Sequence, residues 1–119
     1  MNFTSQWLAN YESRNAPVRV NRDAEAVKDE SELHDAILAE CRRRGWLVIH
    51  SRMDRKTTMM RGVADFIVYA DHGKMFHVEC KAKGGKLSLA QREFIAWAAR
   101  LGHSVDVVTS VEQFMEAVK

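Results

Sequence analysis

The sequence predicts an α/β fold, with a mixed central sheet flanked by helices on both faces, and three observations carry that expectation. Residues 30–119 alternate between helical and strand periodicity in the order helix, strand, strand, strand, helix, strand, helix. Capping residues mark the helix starts. A strand, a long helix and a further strand in succession require a crossover, which sets the last strand parallel to the one before the helix.

The first core helix is read from an N-cap at Ser31, with Glu32 and Asp35 in the first turn and Leu33, Ile37, Leu38 and Cys41 apolar. Arg42-Arg43-Arg44 then suits the negative carboxyl end of the helix, and Gly45 ends it. Trp46–His50 follows as a strand, and the polar stretch Ser51–Met60 is expected to be a mobile connection. Asp71-His72-Gly73 suits a three-residue hairpin loop whose final Gly takes the left-handed conformation. If Ala70 and Lys74 close that loop, Asp65 stands opposite Glu79. Ala82–Lys86 reads as a flexible loop, and Ser88-Leu89-Ala90-Gln91 is a capping box for a largely apolar helix ending at Gly102. Ser104–Thr109 alternates as a strand. Ser110-Val111-Glu112-Gln113 is a second capping box, opening the last helix.

Residues 1–29 are a separate N-terminal arm or short helix, with Phe3, Trp7, Leu8 and Tyr11 along one side. A dimerisation arm and a disordered leader are both open. The whole chain of 119 residues, 46% hydrophobic and 29% charged, fits one ordinary domain. The absence of a long apolar stretch or signal segment argues against a membrane. Cys41 and Cys80 both fall on apolar faces, as free buried thiols do, so a cytoplasmic protein is expected. A zinc site built from these two cysteines and histidines is not expected, because no Cys-x-x-Cys or His-x-x-x-His spacing occurs.

The chemistry is concentrated in Glu79-Cys80-Lys81. Strand period two sends Glu79 and Lys81 to one face, beside His77, and Cys80 to the other. Directly opposed carboxylates lie roughly 4.5 to 5.5 Å apart at Cβ and repel unless neutralised. A hard cation such as Mg²⁺ uses one or two protein carboxylates and leaves room for water and phosphate. A lysine on the same face can orient or help deprotonate the attacking water. On an exposed strand a lone Glu-x-Lys is commonly just a solvated pair. Here the other hairpin face, Phe66, Val68, Ala70, Phe76, Val78 and Cys80, is wholly apolar, and the charged face also carries Ile67, Tyr69 and Met75. Half-covered charges need partners or a metal.

Charge supports the same region. Residues 42–100 hold thirteen Lys or Arg against five Asp or Glu, although the whole chain is only +2. Arg52, Arg55, Lys56, Arg61, Lys83 and Lys86 bracket the acidic pair, as a surface meeting a phosphate backbone requires.

In order, Arg61-Gly62-Val63-Ala64-Asp65, Glu79-Cys80-Lys81, Gly85-Lys86-Leu87-Ser88-Leu89-Ala90-Gln91 and Gly102 before a Val-rich strand resemble the PD-(D/E)xK nuclease superfamily, and within it the VRR-NUC domain, over residues 30–119. The resemblance implies a restriction-endonuclease-like core and a Mg²⁺- or Mn²⁺-dependent nuclease. Asp65 and Glu79 would bind the metal, the Cys80 carbonyl would add a ligand, and Lys81 would serve the water. Gln91 matches the family's glutamine near the lysine, and Glu32 its first-helix acid, with Glu30 and Glu40 as alternatives. Small stand-alone members resemble phage-type, dimeric, structure-specific DNA endonucleases, including Holliday junction resolvases. A binding-only module of the same fold and an accessory subunit docking through Phe3, Trp7 and Tyr11 are the competing expectations.

Overall fold

The computed structural model describes residues 5–14, 30–51 and 61–119. Its elements are α1 (Ser5–Arg14), α2 (Glu30–Arg44), β1 (Leu47–His50), β2 (Phe66–Tyr69), β3 (Met75–Cys80), α3 (Leu89–Arg100), β4 (Val105–Val108) and α4 (Val111–Ala117). The four strands lie in the order β1-β2-β3-β4. The first two pairings are antiparallel and β3 with β4 is parallel, as the α3 crossover demands. The chain from α2 onward therefore has the expected mixed sheet and element order.

Alternation along the hairpin builds the core. Phe66, Val68, Val78 and Cys80 are fully buried on one sheet face, against Leu33, Ile37 and Cys41 of α2 and Phe114 of α4. On the opposite face, α3 brings Phe94 and Trp97 beside His77 and Val105. Helix α1 joins that layer: Leu8 is buried, Trp7 lies 6.1 Å from Trp97 between ring centroids, and Glu12 pairs with Arg92. Phe3 lies outside the described residues. No described helix is long and apolar enough to cross a membrane.

The hairpin register follows from its loop. Ala70 donates its N–H to the Lys74 carbonyl at 2.8 Å, and Phe66 pairs with Val78, so Asp65 continues the ladder opposite Glu79. Gly73 takes the left-handed conformation, with φ 72°, and His72 joins it at φ 59°, which the sequence did not foretell. After α2, Gly45 N–H reaches the Arg42 carbonyl and Trp46 N–H the Cys41 carbonyl, closing the helix by paired reversed bonds around a left-handed glycine.

Two capping expectations are corrected. Ser31 is not the N-cap of α2, because the helix already includes Glu30. At α4, Ser110 accepts the Gln113 N–H as expected, but the Gln113 side chain turns to the Thr109 N–H at 2.7 Å. The reciprocal half of that box is spent one residue upstream. The polar connection through residues 52–60 lies outside the described residues.

Gly62 ties the turn before β2 to α3. Its φ is 81°, and a Cβ placed there would stand 2.2 Å from the Ala90 carbonyl oxygen, inside any allowed contact. Gly84 has φ 78° but open space around it. Gly62→Ala is therefore expected to cost about 2–4 kcal/mol from strain plus overlap, and Gly84→Ala about 1–2 kcal/mol from strain alone. Urea midpoints of the two variants check this; equal losses would contradict the close approach.

Candidate active site

Four element ends meet at one end of the central strands β2 and β3. The bend before β2 brings Asp65, the end of β3 brings Glu79, Cys80 and Lys81, the start of α2 brings Glu30 and His34, and the first turn of α3 brings Gln91. Asp65 Oδ2 accepts the Cys80 N–H at 2.8 Å, which fixes the carboxylate across the hairpin. A strand residue points its N–H and C=O to the same side, so the Cys80 carbonyl faces Asp65 as well.

Glu79 is only 2% exposed. Its Oε1 accepts from Gln91 Nε2 at 2.7 Å, while Gln91 Oε1 accepts the Ser88 N–H and the Ser88 hydroxyl accepts the Gln91 N–H. One amide thus caps the helix with its oxygen and holds the carboxylate with its nitrogen. The capping-box reading of Gln91 describes real bonds, and its side-chain amide also reaches Glu79 on the strand that leads to Lys81. Lys81, with its side chain 13% exposed, places Nζ 3.9 Å from Glu30 Oε1.

The electrostatics follow from this crowding. Burial, reinforced by the neighbouring Asp65 carboxylate, lifts the Glu79 carboxyl to about 8, and the Lys81 charge only partly opposes it. A buried glutamate opposite a half-buried aspartate, which must otherwise take up a proton, could hold a divalent cation. The candidate donors, the carboxylates of Asp65 and Glu79 with the Cys80 carbonyl, are all oxygens, a set that would suit Mg²⁺ or Mn²⁺.

Of the first-helix acids, Glu32 is exposed on α2, whereas Glu30 lies within reach of Lys81. Glu40 is engaged elsewhere: it accepts from Arg43 and Arg44, whose bonds hold its carboxyl down at about 2. His34 was missed altogether. It stands one turn beyond Glu30 on the same helix side, with Nε2 3.5 Å from Asp65 Oδ2, and a reading that started from Glu30 would have met it.

Among the basic residues, Arg61 lines a cleft with Gly62, Asp65 and Gln91, and Lys83 and Lys86 are exposed on the loop after β3. Arg52, Arg55 and Lys56 lie outside the described residues. His77 lies on the face carrying Glu79 but borders an apolar groove beside Phe94 and Trp97.

Because the folded Glu79 carboxyl titrates near 8 rather than 4.5, its contribution to stability is complete below about pH 4.5 and is lost as pH rises through about 8. Metal-free protein should therefore melt at lower temperature at pH 8.5 than at pH values of about 6, and Glu79→Gln should flatten that slope. Differential scanning fluorimetry across this range is the check, and an identical slope in the variant would remove Glu79 as its cause.

Comparison with known proteins identifies the family. The VRR-NUC domain family matches residues 6–112. A solved structure titled "VRR_NUC domain" superposes with a TM-score of 0.62 at 20% identity, covering 77% of this chain and 96% of that one. None of the curated proteins matches. The family match over nearly the whole chain, on a sheet with the same architecture, places this protein in the VRR-NUC domain family of the PD-(D/E)xK nuclease superfamily.

Proposed function

We propose that this chain is a Mg²⁺- or Mn²⁺-dependent endonuclease that hydrolyses DNA phosphodiester bonds, acting as a homodimer in the cytoplasm on branched DNA such as Holliday junctions. The observation that carries the reading is the buried Glu79 held by Gln91 opposite Asp65, with the Lys81 ammonium on the same strand face. A binding-only surface has no physical need for opposed carboxylates beside phosphates.

Each residue then has a role. Asp65, Glu79 and the Cys80 carbonyl hold the cation, which when bound supplies positive charge to a phosphate oxygen and acidity to a water. Lys81 orients the attacking water and receives or returns its proton, and Glu30 fixes the lysine from across the site. Gln91 keeps Glu79 aimed inward. Arg61, Lys83 and Lys86 provide charge for the DNA backbone.

The dimer finds support in an apolar surface. Leu47, Tyr69 and Met75 form one cross-strand row on the outer sheet face, beside Ile49, and these four are 41% to 67% exposed. A contiguous exposed apolar face marks an association surface, and a two-fold pair would present two sites to a two-fold junction.

Lys81→Ala should slow cleavage by about a hundredfold to ten-thousandfold while leaving DNA binding largely intact. Glu30→Gln should lower the cleavage rate and Glu32→Gln should not. Gel assays with Mg²⁺ or Mn²⁺ on four-way, duplex and single-stranded DNA check both. Wild type that cuts no DNA form would end the nuclease reading; wild type that cuts duplex but no junction would end only the substrate reading. Sedimentation should find a dimer that Leu47→Glu with Met75→Glu converts to monomer, and a wild-type monomer would refute the proposed assembly.

A further inference from the structure

One residue at the site has no part in the proposed hydrolysis. His34 lies on the core side of the sheet end, edge-on to His50 and Phe66 with ring centroids 5.0 and 5.1 Å away. Its Nε2 is buried and makes no hydrogen bond among the described residues, yet it points at Asp65 Oδ2, 3.5 Å distant. The Cys80 thiol completes a group: a His34 nitrogen, an Asp65 oxygen and the sulfur all lie within 4.8 Å of one another.

That donor set differs in kind from the oxygen set beside it. Nitrogen and sulfur select zinc-class ions over magnesium. Bonds of about 2.0–2.3 Å to a tetrahedral zinc place its ligand atoms about 3.3–3.7 Å apart, a spacing that Nε2 and Oδ2 already have. The sulfur needs to shift by roughly 1 Å, within the reach of a χ1 adjustment. Three protein ligands leave the fourth position open. A buried polar nitrogen left without a partner is itself a feature that a bound ion explains.

We propose that His34, Asp65 and Cys80 form a zinc-class site that shares Asp65 with the magnesium-class site, so that zinc and the hard cation compete. Binding forms a Zn–S bond as the Cys80 thiol proton passes to solvent. The consequence for cleavage, inhibition by zinc, rests on the nuclease reading; the binding itself does not.

Co²⁺ is the probe, added to the full metal-free chain. One equivalent should produce a thiolate-to-cobalt charge-transfer band in the near ultraviolet. Cys80→Ser should abolish the band, Cys41→Ser should retain it, and His34→Ala should weaken Co²⁺ binding at least about tenfold. Glu79→Gln, which damages only the oxygen set, should keep the band, so the result is independent of nuclease activity. Excess Mg²⁺ should weaken Co²⁺ binding. Co²⁺ bound without the band, a band surviving in Cys80→Ser, or unchanged affinity in His34→Ala would overturn the site. Where cleavage is measurable, the zinc concentration for half-inhibition should rise at least about tenfold in His34→Ala relative to that variant's own zinc-free rate; no rise would overturn the inhibitory role.

Discussion

Electrostatic repulsion between Asp65 and Glu79 is the constraint to which the surrounding residues respond. Two carboxylates held across a hairpin, one of them nearly inaccessible, are unfavourable in a low-dielectric setting unless donors and countercharges surround them. The chain supplies those donors from separate elements. Cys80 gives Asp65 a backbone N–H, Gln91 gives Glu79 an amide, and Lys81 sets an ammonium close by. These contacts reduce the repulsion without removing it, and burial first and the Asp65 charge second keep the Glu79 carboxyl raised. The remaining cost is one that the proposed divalent ion would relieve, so metal affinity and instability of the metal-free site would have one origin.

Such a site needs a stiff frame, and the fold provides it away from the charges. Phe66 and Val78 bury their side chains on the core face immediately beside Asp65 and Glu79 in the chain. The Gly62 turn presses against the Ala90 carbonyl, fixing the approach to Asp65 relative to the helix that carries Gln91. Helix α1 grips the same helix from outside through Trp7 against Trp97 and Glu12 against Arg92. Both the hairpin and α3 are thus held from two sides.

Much of this was legible in the sequence because local rules coincide there. Strict alternation on both sides of Asp71-His72-Gly73 sets the register, and with it the opposition of Asp65 and Glu79. The capping box at Ser88 places Gln91 in the first turn of α3, and the crossover sets β4 parallel. The first-helix acid was not legible in the same way. In the run Asp29-Glu30-Ser31-Glu32 every acid suits a helix start, and two residues along a helix turn the side chain by about 200°. The family resemblance favours Glu32, whereas the helix includes Glu30 and brings that residue to Lys81. The grouping of His34 with Cys80 was beyond any spacing rule, since metal motifs read from sequence are local and these two residues meet only when α2 packs on β3.

The central claim is that opposed carboxylates at this sheet end bind a divalent cation, and titration of Mn²⁺ into the metal-free protein, followed by the loss of the free-ion electron paramagnetic resonance signal, tests it most directly. The account predicts saturable binding by the wild type that Asp65→Asn and Glu79→Gln each weaken strongly while the fold is retained. Mn²⁺ uptake that is absent, or that is the same in all three proteins, would contradict it.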